Sequence, residues 1–284
     1  MKKILLIAMA TLLPLVGSAK KTAKVRWCTF NIRLLTEGDR SIDCHWDQRK
    51  AHVATFVKKN SIDVIGMQEV THPQLVYLNE KLGKKYDYVG VGRTDGKTKG
   101  EYSPIFFKRS KYEVLDKGNF WLSEMPDAVG VKGWDAALER IASWVKLRDK
   151  KTGKIFMAVN THFDHVGKIA RKESAKLIME KIQQIAEYNP AVVTGDFNIT
   201  EDDEAYHTMT TNRFKMKDAY HVTDHHEGAT HTFHSFCRMD RQDCMKIDFI
   251  FITPDIHVKK TYIQMENPQK QLSDHNPHWA DLEF

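Results

Sequence analysis

The chain has 284 residues and a formal net charge of +6 at pH 7, from 43 Lys and Arg against 37 Asp and Glu. The basic residues are scattered among acidic ones. The composition therefore suits an anionic substrate but lacks the concentrated positive charge of a nucleic-acid-binding surface. No linker rich in proline, glycine or serine, no repeat and no low-complexity tract interrupts the sequence. We predict a single large domain over residues 20–284.

Residues 1–19 have the pattern of a secretory signal peptide. A positively charged start is followed by an apolar run and by the small residues Gly17, Ser18 and Ala19, which predicts cleavage after Ala19. The apolar run is too short to span a bilayer, it contains Pro14, and no later apolar run is long enough. We expect export to the periplasm or the extracellular medium, without a transmembrane segment in the mature chain.

The cysteine count is compatible with disulfide bonds. Four cysteines remain in the mature chain, and an even number in an exported protein allows pairing. Cys237 and Cys244 flank a polar loop and form the expected pair. Cys28 lies in a strand pattern, where a buried free thiol fits at least as well as a bridge. The pairing of Cys44 is open.

Apolar segments with strand character recur along the mature chain, bounded by polar and turn-forming residues. The predicted strands cover residues 25–32, 64–67, 86–91, 104–107, 119–122, 141–147, 155–159, 191–194, 230–236, 247–252, 258–264 and 279–284. The segments 141–147 and 155–159 are separated by a short polar stretch and are predicted to form a hairpin.

Three segments between these strands carry apolar residues at helical spacing. Their shared faces are formed by Trp46, Val53, Phe56 and Val57, by Leu75, Leu78 and Leu82, and by Leu177, Ile178, Ile182 and Ile185. Strands far outnumber helices, and the helices fall between groups of strands. We therefore predict an α+β fold in which two mostly antiparallel sheets pack together with helices outside.

Polar side chains follow several of the apolar strands at the point where each strand stops. The strand 191–194 leads into Asp196 and Asn198, which we expect to point the same way because side chains alternate along a strand. The other strand-end residues are Asn31, Glu69, His162, Asp164, Asp274 and His275. Asp248 lies inside an apolar strand, where a carboxylate is costly unless it is paired. Each residue alone fits a turn or a strand end, but together they predict a catalytic site.

The order of these motifs resembles that of the endonuclease/exonuclease/phosphatase superfamily of metal-dependent phosphoester hydrolases. The matching segments are TFNIR, GMQEV, NTHFDH, GDFN, KIDFIFI and SDHNP, which extend from residue 29 to residue 277. The segments GEYSPIFF, FWLSEMPD and GWDAALERIASW resemble a bacterial exported branch of it. The resemblance implies a four-layer α/β/β/α sandwich with the active site at one edge.

Phosphoester hydrolysis needs an in-line water, a base that activates it, and positive charge on the phosphoryl oxygens. By residue type and resemblance, Glu69 and Asn31 are the expected ligands of Mg²⁺, and Asp274 is a further metal or water ligand. Hard oxygen donors suit Mg²⁺, and Mn²⁺ could replace it. Asp196 is expected to orient or deprotonate the attacking water, and Asn198 to hold a phosphoryl oxygen.

The remaining predicted site residues surround the phosphate. His275 is expected to contact it, with Asp248 fixing the tautomer and orientation of the imidazole. His162 matches the position of a second phosphate-contacting side chain in the superfamily, and Arg140 would add a fixed positive charge. The resemblance also implies three residues near the substrate, of which the last lies behind the side chains in contact: Tyr102, Asn160 and Asp164.

One departure from the superfamily pattern concerns metal binding. The repair-endonuclease branch carries an acid two residues after the first Asn, where this chain has Arg33. The difference removes one candidate metal ligand and argues against an abasic-site nuclease. Five histidines in one segment are a further unusual feature, and we expect them to line the rim rather than to form a transition-metal site, because their spacing fits no standard zinc template. They are His221, His225, His226, His231 and His234.

The leading functional hypothesis is an exported Mg²⁺-dependent phosphomonoesterase or phosphodiesterase. Its substrate would be a small phosphate derived from a sugar or a lipid, and the protein would act as a monomer. The alternatives are a secreted DNA or RNA phosphodiesterase and a catalytically inactive phosphate-binding module. Substrate choice is expected to depend on three rim loops, which cover residues 94–101, 126–139 and 221–243.

Overall fold

The computed structural model describes residues 22–211 and 213–284, so the predicted signal peptide lies outside the described residues. The strands are β1 Lys24–Asn31, β2 Val64–Gln68, β3 Tyr86–Val89, β4 Ile105–Lys108, β5 Tyr112–Trp121, β6 Ile141–Asp149, β7 Ile155–His162, β8 Ala191–Asp196, β9 Lys217–Asp218, β10 His226–Gly228, β11 Asp248–Ile252, β12 His257–Ile263 and β13 His278–Glu283. The α-helices are α1 Trp46–Lys59, α2 His72–Leu82, α3 Lys168–Ala186 and α4 Glu204–Thr211.

The strands form two sheets. Sheet 1 has the order β10-β12-β13-β1-β2-β4-β3, and sheet 2 has the order β5-β6-β7-β8-β11-β9. Most neighbours are antiparallel, as predicted, but each sheet has a parallel pair near its centre, β1 with β2 and β7 with β8, and sheet 1 has another at its edge, β10 with β12. Parallel neighbours need a crossover, which α1 and α3 provide. The carboxyl ends of each central pair therefore lie at the same edge of their sheet.

Three apolar clusters give the molecule four layers. One cluster fills the space between the sheets and includes Trp27 and Val64 from sheet 1 and Phe156 and Ile250 from sheet 2. A second packs α1 and α2 against the outer face of sheet 1, and the third packs α3 and α4 against the outer face of sheet 2. The predicted α/β/β/α sandwich is confirmed. Among the described residues, no helix is both long enough and apolar enough to cross a membrane.

Two predicted strands differ from the structure. The strand expected at residues 230–236 is reduced to isolated bridges at Phe233, and the chain then turns at Ser235, Phe236 and Cys237, which have φ values of 49°, 58° and 59°. A left-handed backbone cannot continue a strand. β5 begins at Tyr112 rather than at residue 119, since it is an edge strand whose exposed polar residues hide the apolar pattern.

The expected disulfide is also absent. All four cysteines lie within the described residues, and all four are free thiols. Cys244 donates from Sγ to the carbonyl oxygen of Asp240 at 3.5 Å. The backbone N–H of Cys237 donates to Nδ1 of His234 at 2.9 Å. The thiol of Cys244 is thus engaged within its own turn, and Cys28 is a buried thiol in β1.

Candidate active site

A cavity of about 680 Å³ opens at the edge of the sandwich where β1, β2, β7 and β8 end. The structure brings most of the predicted catalytic residues to its wall: Glu69, Arg140, His162, Asp196, Asn198, Asp274 and His275. Sheet 1 leads into Glu69, whereas sheet 2 carries Asp196 and His162. The site therefore lies on the seam between the two sheets.

Sharp turns at the strand ends direct the side chains into this cavity. Arg33, Glu69 and Asn198 follow β1, β2 and β8, and their φ values are 58°, 60° and 50°. Each left-handed residue costs roughly 1 kcal/mol of backbone strain, and strain of this kind accumulates at functional sites. The turn after β8 is closed by the backbone N–H of Asn198, which donates to Oδ1 of Asp196 at 3.0 Å.

Asn31 links the two sheets inside the site. Its Nδ2 donates to Oε1 of Glu69 at 2.9 Å and to Oδ2 of Asp196 at 2.8 Å. Its Oδ1, the atom expected to bind a metal, accepts the backbone N–H of Arg33 at 2.9 Å. Asn31 therefore aligns the two carboxylates, and its Oδ1 keeps one lone pair beyond the Arg33 hydrogen bond.

Asp196 faces a second carboxylate across the sheet. Asp248 lies directly opposite it in the antiparallel β8–β11 pair, and burial together with the Asp248 charge raises the pKa of Asp196 to about 7. Asp248 Oδ2 lies 2.8 Å from Nδ1 of His275, as predicted for an acid–histidine pair. Burial alone would lower the pKa of His275, but Asp248 raises it to about 10. His275 is therefore a cation at neutral pH, with Nε2 3.7 Å from Asp196 Oδ2.

The contacts of Asn198 determine the tautomer of His162. Nδ2 of Asn198 donates to the carbonyl oxygen of Phe163 at 3.0 Å, which identifies this end of the amide as the donor. The same Nδ2 lies 3.0 Å from Nε2 of His162, which must accept. Burial, followed by the Arg140 charge, lowers the pKa of His162 well below its ordinary value. His162 is thus neutral with its proton on Nδ1, and Asn198 positions it instead of keeping a free donor for phosphate.

Arg140 supplies a fixed positive charge to the wall. Its Nε donates to Oδ2 of Asp164 at 3.2 Å, and its Nη2 lies 3.0 Å from Nδ1 of His165. Nη1 is buried and has no hydrogen-bond partner among the described residues. The guanidinium is therefore oriented by two neighbours, and the two N–H groups of Nη1 are left for a ligand.

Asp164 does not reach the cavity but holds Arg140 and the start of α3. Burial would raise its pKa, but backbone N–H groups, with Gly167 first, and the Arg140 charge lower it below the ordinary value. Its ionised form therefore stabilises the fold above pH 4, and this contribution is lost as the pH falls. We expect Asp164→Asn to lower the free energy of unfolding by about 1–3 kcal/mol at pH 7. The difference in the free energy of unfolding between the variant and wild type, measured by urea titration, should become smaller below pH 4.

Asp135→Asn is the matched control for this substitution. Asp135 accepts the backbone N–H groups of Ile169 and Ala170 at the start of the same helix but does not contact Arg140. Asp135→Asn should lower the free energy of unfolding by about 1 kcal/mol and leave the affinity for inorganic phosphate unchanged. Asp164→Asn, in contrast, should weaken that affinity. Equal phosphate affinity in the two variants would show that Asp164 does not position Arg140.

Comparisons with known proteins agree with this geometry. The model of the Endonuclease/Exonuclease/phosphatase family matches residues 28–275. The chain belongs to that family. A crystal structure of a family member from Bacteroides vulgatus is 54% identical, with a TM-score of 0.90, and the match covers 92% of this chain and 99% of that one.

Two further relatives define the range of similarity. A solved mannosyl-6-phosphatase from Bacteroides thetaiotaomicron VPI-5482 is 37% identical, with a TM-score of 0.85, over 92% of this chain and all of that one (100%). Protein angel of Drosophila melanogaster is 29% identical over 166 residues, which are 55% of this chain and 45% of that protein. The chain spans less than half the length of the curated relatives it matches.

Members and structural neighbours in this family are phosphatases and phosphodiesterases, which supports the predicted hydrolase, and the family depends on a metal. The residues present fit such an ion. Carboxylate oxygens of Glu69 and Asp196 lie within 4.8 Å of each other. Each oxygen of Glu69 accepts one hydrogen bond, from Asn31 or from the backbone of Leu34, and keeps lone pairs for a cation. Two carboxylates joined through one amide form a hard donor set suited to a divalent ion.

Two predicted substrate contacts lie elsewhere. The hydroxyl of Tyr102 donates to the carbonyl oxygen of Lys97 at 2.9 Å and lies 3.0 Å from Nδ1 of His72, away from the cavity wall. Asn160 is completely buried between the sheets, where Nδ2 donates to the carbonyl oxygen of Met67 at 2.7 Å and Oδ1 accepts from Gln68 at 2.7 Å. Its amide joins sheet 2 to sheet 1 and leaves nothing for a ligand.

Asp274 lines the cavity and contacts Arg33. Its Oδ2 lies 3.9 Å from Nε of Arg33, and its Oδ1 accepts from Oγ of Ser273 at 3.0 Å. Arg33 also forms two hydrogen bonds to Asp39, at 3.2 and 3.1 Å. The residue that departs from the superfamily pattern thus places a fixed cation between two carboxylates at the mouth of the site.

The histidine-rich segment does not form one site. His221 lies 2.7 Å from Glu201 and belongs to a cluster with Asp218. That cluster already contains a cation, because Nζ of Lys246 lies 2.9 Å from Glu201 and 2.8 Å from Asp218. His231 lies instead 3.5 Å from Glu266. Among the described residues, the five histidines provide no shared metal centre.

Sequence reasoning missed several residues of the wall and its support. Glu101 and His165 line the cavity, and Arg93 lies behind Glu101. Glu101 falls within a segment predicted as a rim loop, but nothing in the sequence indicated that its side chain turns inward. Pairing of an arginine with an acid eight residues later is visible only once the loop is folded.

Proposed function

We propose that the protein is an exported, Mg²⁺-dependent phosphomonoesterase that acts on a small, sugar-derived phosphate. The observation that carries this proposal is the cavity of about 680 Å³, which has the size of a small-molecule pocket. Its wall combines a base, a histidine cation and an arginine at one sheet edge. The full-length similarity to a mannosyl-6-phosphatase supports the choice of a sugar phosphate.

The metal would be held mainly by Glu69, with Asp196 next to it. A bound Mg²⁺ ion would neutralise negative charge on a phosphoryl oxygen, and Mn²⁺ could take its place. Oxygen ligands without a thiolate favour either ion over zinc. Asn31 contributes by keeping the two carboxylates at a fixed separation through its two hydrogen bonds.

The chain's own residues account for the remaining chemistry. Asp196 accepts a proton from a water molecule while the water oxygen forms a bond to phosphorus. The bond from phosphorus to the leaving oxygen breaks, and the released alcohol takes a proton from solvent. His275 donates from Nε2 to a phosphoryl oxygen, held as a cation by Asp248. Arg140 donates from Nη1, the atom that its neighbours leave without a partner among the described residues. These donors stabilise the charge that develops during the reaction.

Purified mature protein tests the proposal directly. It should release phosphate from hexose 6-phosphates in the presence of Mg²⁺, lose activity in EDTA, and regain it when Mg²⁺ is restored. Glu69→Gln should raise the Mg²⁺ concentration required for half-maximal activity by at least about tenfold. Glu283→Gln, at the far end of β13, should not change it. Mass spectrometry of the exported protein should find Lys20 at the amino terminus.

Other outcomes would identify the alternatives. Cleavage of single-stranded DNA or RNA without turnover of small esters would make the protein a nuclease. Binding of phosphate without any turnover would make it a binding module. Full activity after exhaustive chelation would remove the metal from the mechanism.

A further inference from the structure

A buried arginine lies close to the active site without forming part of the cavity wall. Arg49, near the start of α1, is 1% exposed and does not line the cavity. Burial lowers its pKa to about 10, so the guanidinium is still a cation at neutral pH. A cation in the protein interior is costly unless its donors are satisfied. The hydrolytic steps proposed above give Arg49 no role, so its contacts have to explain why it is there.

Four of the five N–H groups of Arg49 donate to backbone carbonyl oxygens. Nε donates to Cys44 at 2.6 Å, and Nη1 donates to Ile32 and to Leu272, each at 2.8 Å. Nη2 donates to Arg33 at 3.4 Å. The guanidinium therefore joins three parts of the backbone, which are the turn after β1, the loop before α1 and the loop before β13.

The turn after β1 determines how the site carboxylates are held. The backbone N–H of Arg33 donates to Oδ1 of Asn31 at 2.9 Å, and Nδ2 of Asn31 then donates to both carboxylates. Arg33 has a left-handed backbone, with a φ of 58°. Because Arg49 binds the carbonyl groups of both Ile32 and Arg33, it fixes the turn that orients Asn31.

The loop before β13 carries the histidine expected to bind phosphate. Leu272 lies three residues before His275 in this loop. Its carbonyl oxygen and that of Ile32 accept hydrogen bonds from the same nitrogen, Nη1 of Arg49, so neither can move independently of the other. Cζ of Arg49 also lies 5.4 Å from the ring centroid of Phe236, a side chain of the cavity wall. One planar group thus relates the position of His275 to that of the turn after β1.

We propose that Arg49 is a positioning residue of the active site, which keeps the carboxylates aligned by Asn31 at a fixed distance from His275. It acts through the backbone and does not touch the substrate. A lysine cannot replace it, because an ammonium group is a compact charge on a flexible stem and lacks the fixed donor directions of a guanidinium. The inference rests on the proposed function, in which the carboxylates and His275 act on the same phosphoryl group.

The test removes the guanidinium and then supplies it from solution. Since a displacement of about 1 Å can lower a rate by about 10²-fold, Arg49→Ala should lower kcat for a hexose 6-phosphate by about 100-fold and change KM by less than about threefold. Guanidinium chloride at about 20 mM, far below the molar range that unfolds proteins, should then raise kcat by at least about tenfold. Free guanidinium has the planar donors that the same carbonyl groups require.

Two comparisons separate this effect from the loss of a buried charge. Methylammonium chloride at the same concentration should not restore the activity of Arg49→Ala, because it carries the charge without the planar donors. Arg49→Lys should keep the charge and still lower kcat by about tenfold. The melting temperature of each variant shows whether it is folded.

Arg26→Ala is the matched control. Arg26 lies in β1 at the end remote from the site, where Nη1 donates to the carbonyl oxygen of Asn60 at 3.1 Å and Nε pairs with Asp281 at 2.7 Å. Its substitution should lower the melting temperature and leave kcat close to that of wild type. Guanidinium should not change the activity of this variant.

The affinity for orthovanadate gives a readout that does not depend on which alcohol the enzyme releases. It should fall with kcat in Arg49→Ala and recover when guanidinium is added. Wild-type kcat and vanadate affinity in a folded Arg49→Ala or Arg49→Lys variant would overturn the inference, and so would equal rescue by methylammonium. Failure of wild type to hydrolyse the hexose ester would overturn the proposed function, and the vanadate measurements would still decide the role of Arg49.

Discussion

Replacing Asp196 with asparagine should lower kcat by roughly 10²- to 10⁴-fold, the usual contribution of a general base, without loss of stability. The amide cannot accept the proton of the attacking water. The same substitution removes a buried charge next to Asp248. Burial and the charge of Asp248 together raise the pKa of Asp196 to about 7. Because this folded-state pKa lies above the ordinary one, ionised Asp196 opposes folding near neutral pH. We expect an unchanged or higher melting temperature, measured beside phosphate release.

Asp63→Asn is the control, because it should lower stability without lowering activity. Asp63 lies at the far end of sheet 1 and accepts from Nζ of Lys108 and of Lys111, each at 2.8 Å. Its loss should lower the melting temperature and leave turnover close to that of wild type. Retention of more than about a tenth of wild-type activity in Asp196→Asn would show that another group activates the water.

The second large effect is expected from Asp248→Asn, in which a residue that does not touch the substrate lowers kcat by roughly 10³- to 10⁴-fold. Asp248 holds His275 through the 2.8 Å contact to Nδ1 and keeps it cationic. Without the carboxylate, His275 loses both its orientation and the charge that it presents to the phosphoryl oxygen. The affinity for orthovanadate should fall with kcat, while KM for the substrate changes much less.

Asp218→Asn distinguishes this effect from the general cost of removing a buried acid. Asp218 is as buried as Asp248 and also lies in sheet 2, where it pairs with Lys246 at 2.8 Å. Its substitution should destabilise the fold and spare both kcat and vanadate affinity. If Asp248→Asn and Asp218→Asn lost activity in proportion to their stability, the acid–histidine pair would have no separate role.

The strand-end carboxylates could be predicted from sequence because the apolar residues around them indicate that they are buried. An acid such as Asp196 or Asp248 that interrupts an apolar strand is costly unless a partner meets it, and both are indeed paired. The two-sheet fold followed from the same alternation of apolar segments. Asn198 lines the cavity, although the backbone reaches it through a left-handed turn and not by continued strand alternation.

Asn160 and Tyr102 show what a motif cannot convey. Both belong to segments that match the family, yet their polar atoms point into the protein and join backbone carbonyls there. Glu101 is the converse case, an unremarkable loop acid that turns inward because Arg93 holds it. In each case the direction of the side chain depends on contacts between segments distant in the sequence or folded into one loop. Local sequence pattern carries no information about them.

Asn31 and Asn160 are buried amides whose hydrogen bonds join sheet 1 to sheet 2. They fix the alignment of two sheets that otherwise meet through apolar packing. Apolar surfaces tolerate small sliding movements, whereas a buried amide loses its hydrogen bonds when its partner shifts by about an ångström. Glu69 follows β2 of sheet 1, and Asp196 ends β8 of sheet 2. The rate of turnover therefore depends on how the two sheets are aligned. Enlarging or shrinking side chains in the inter-sheet core will therefore impair catalysis before it unfolds the protein.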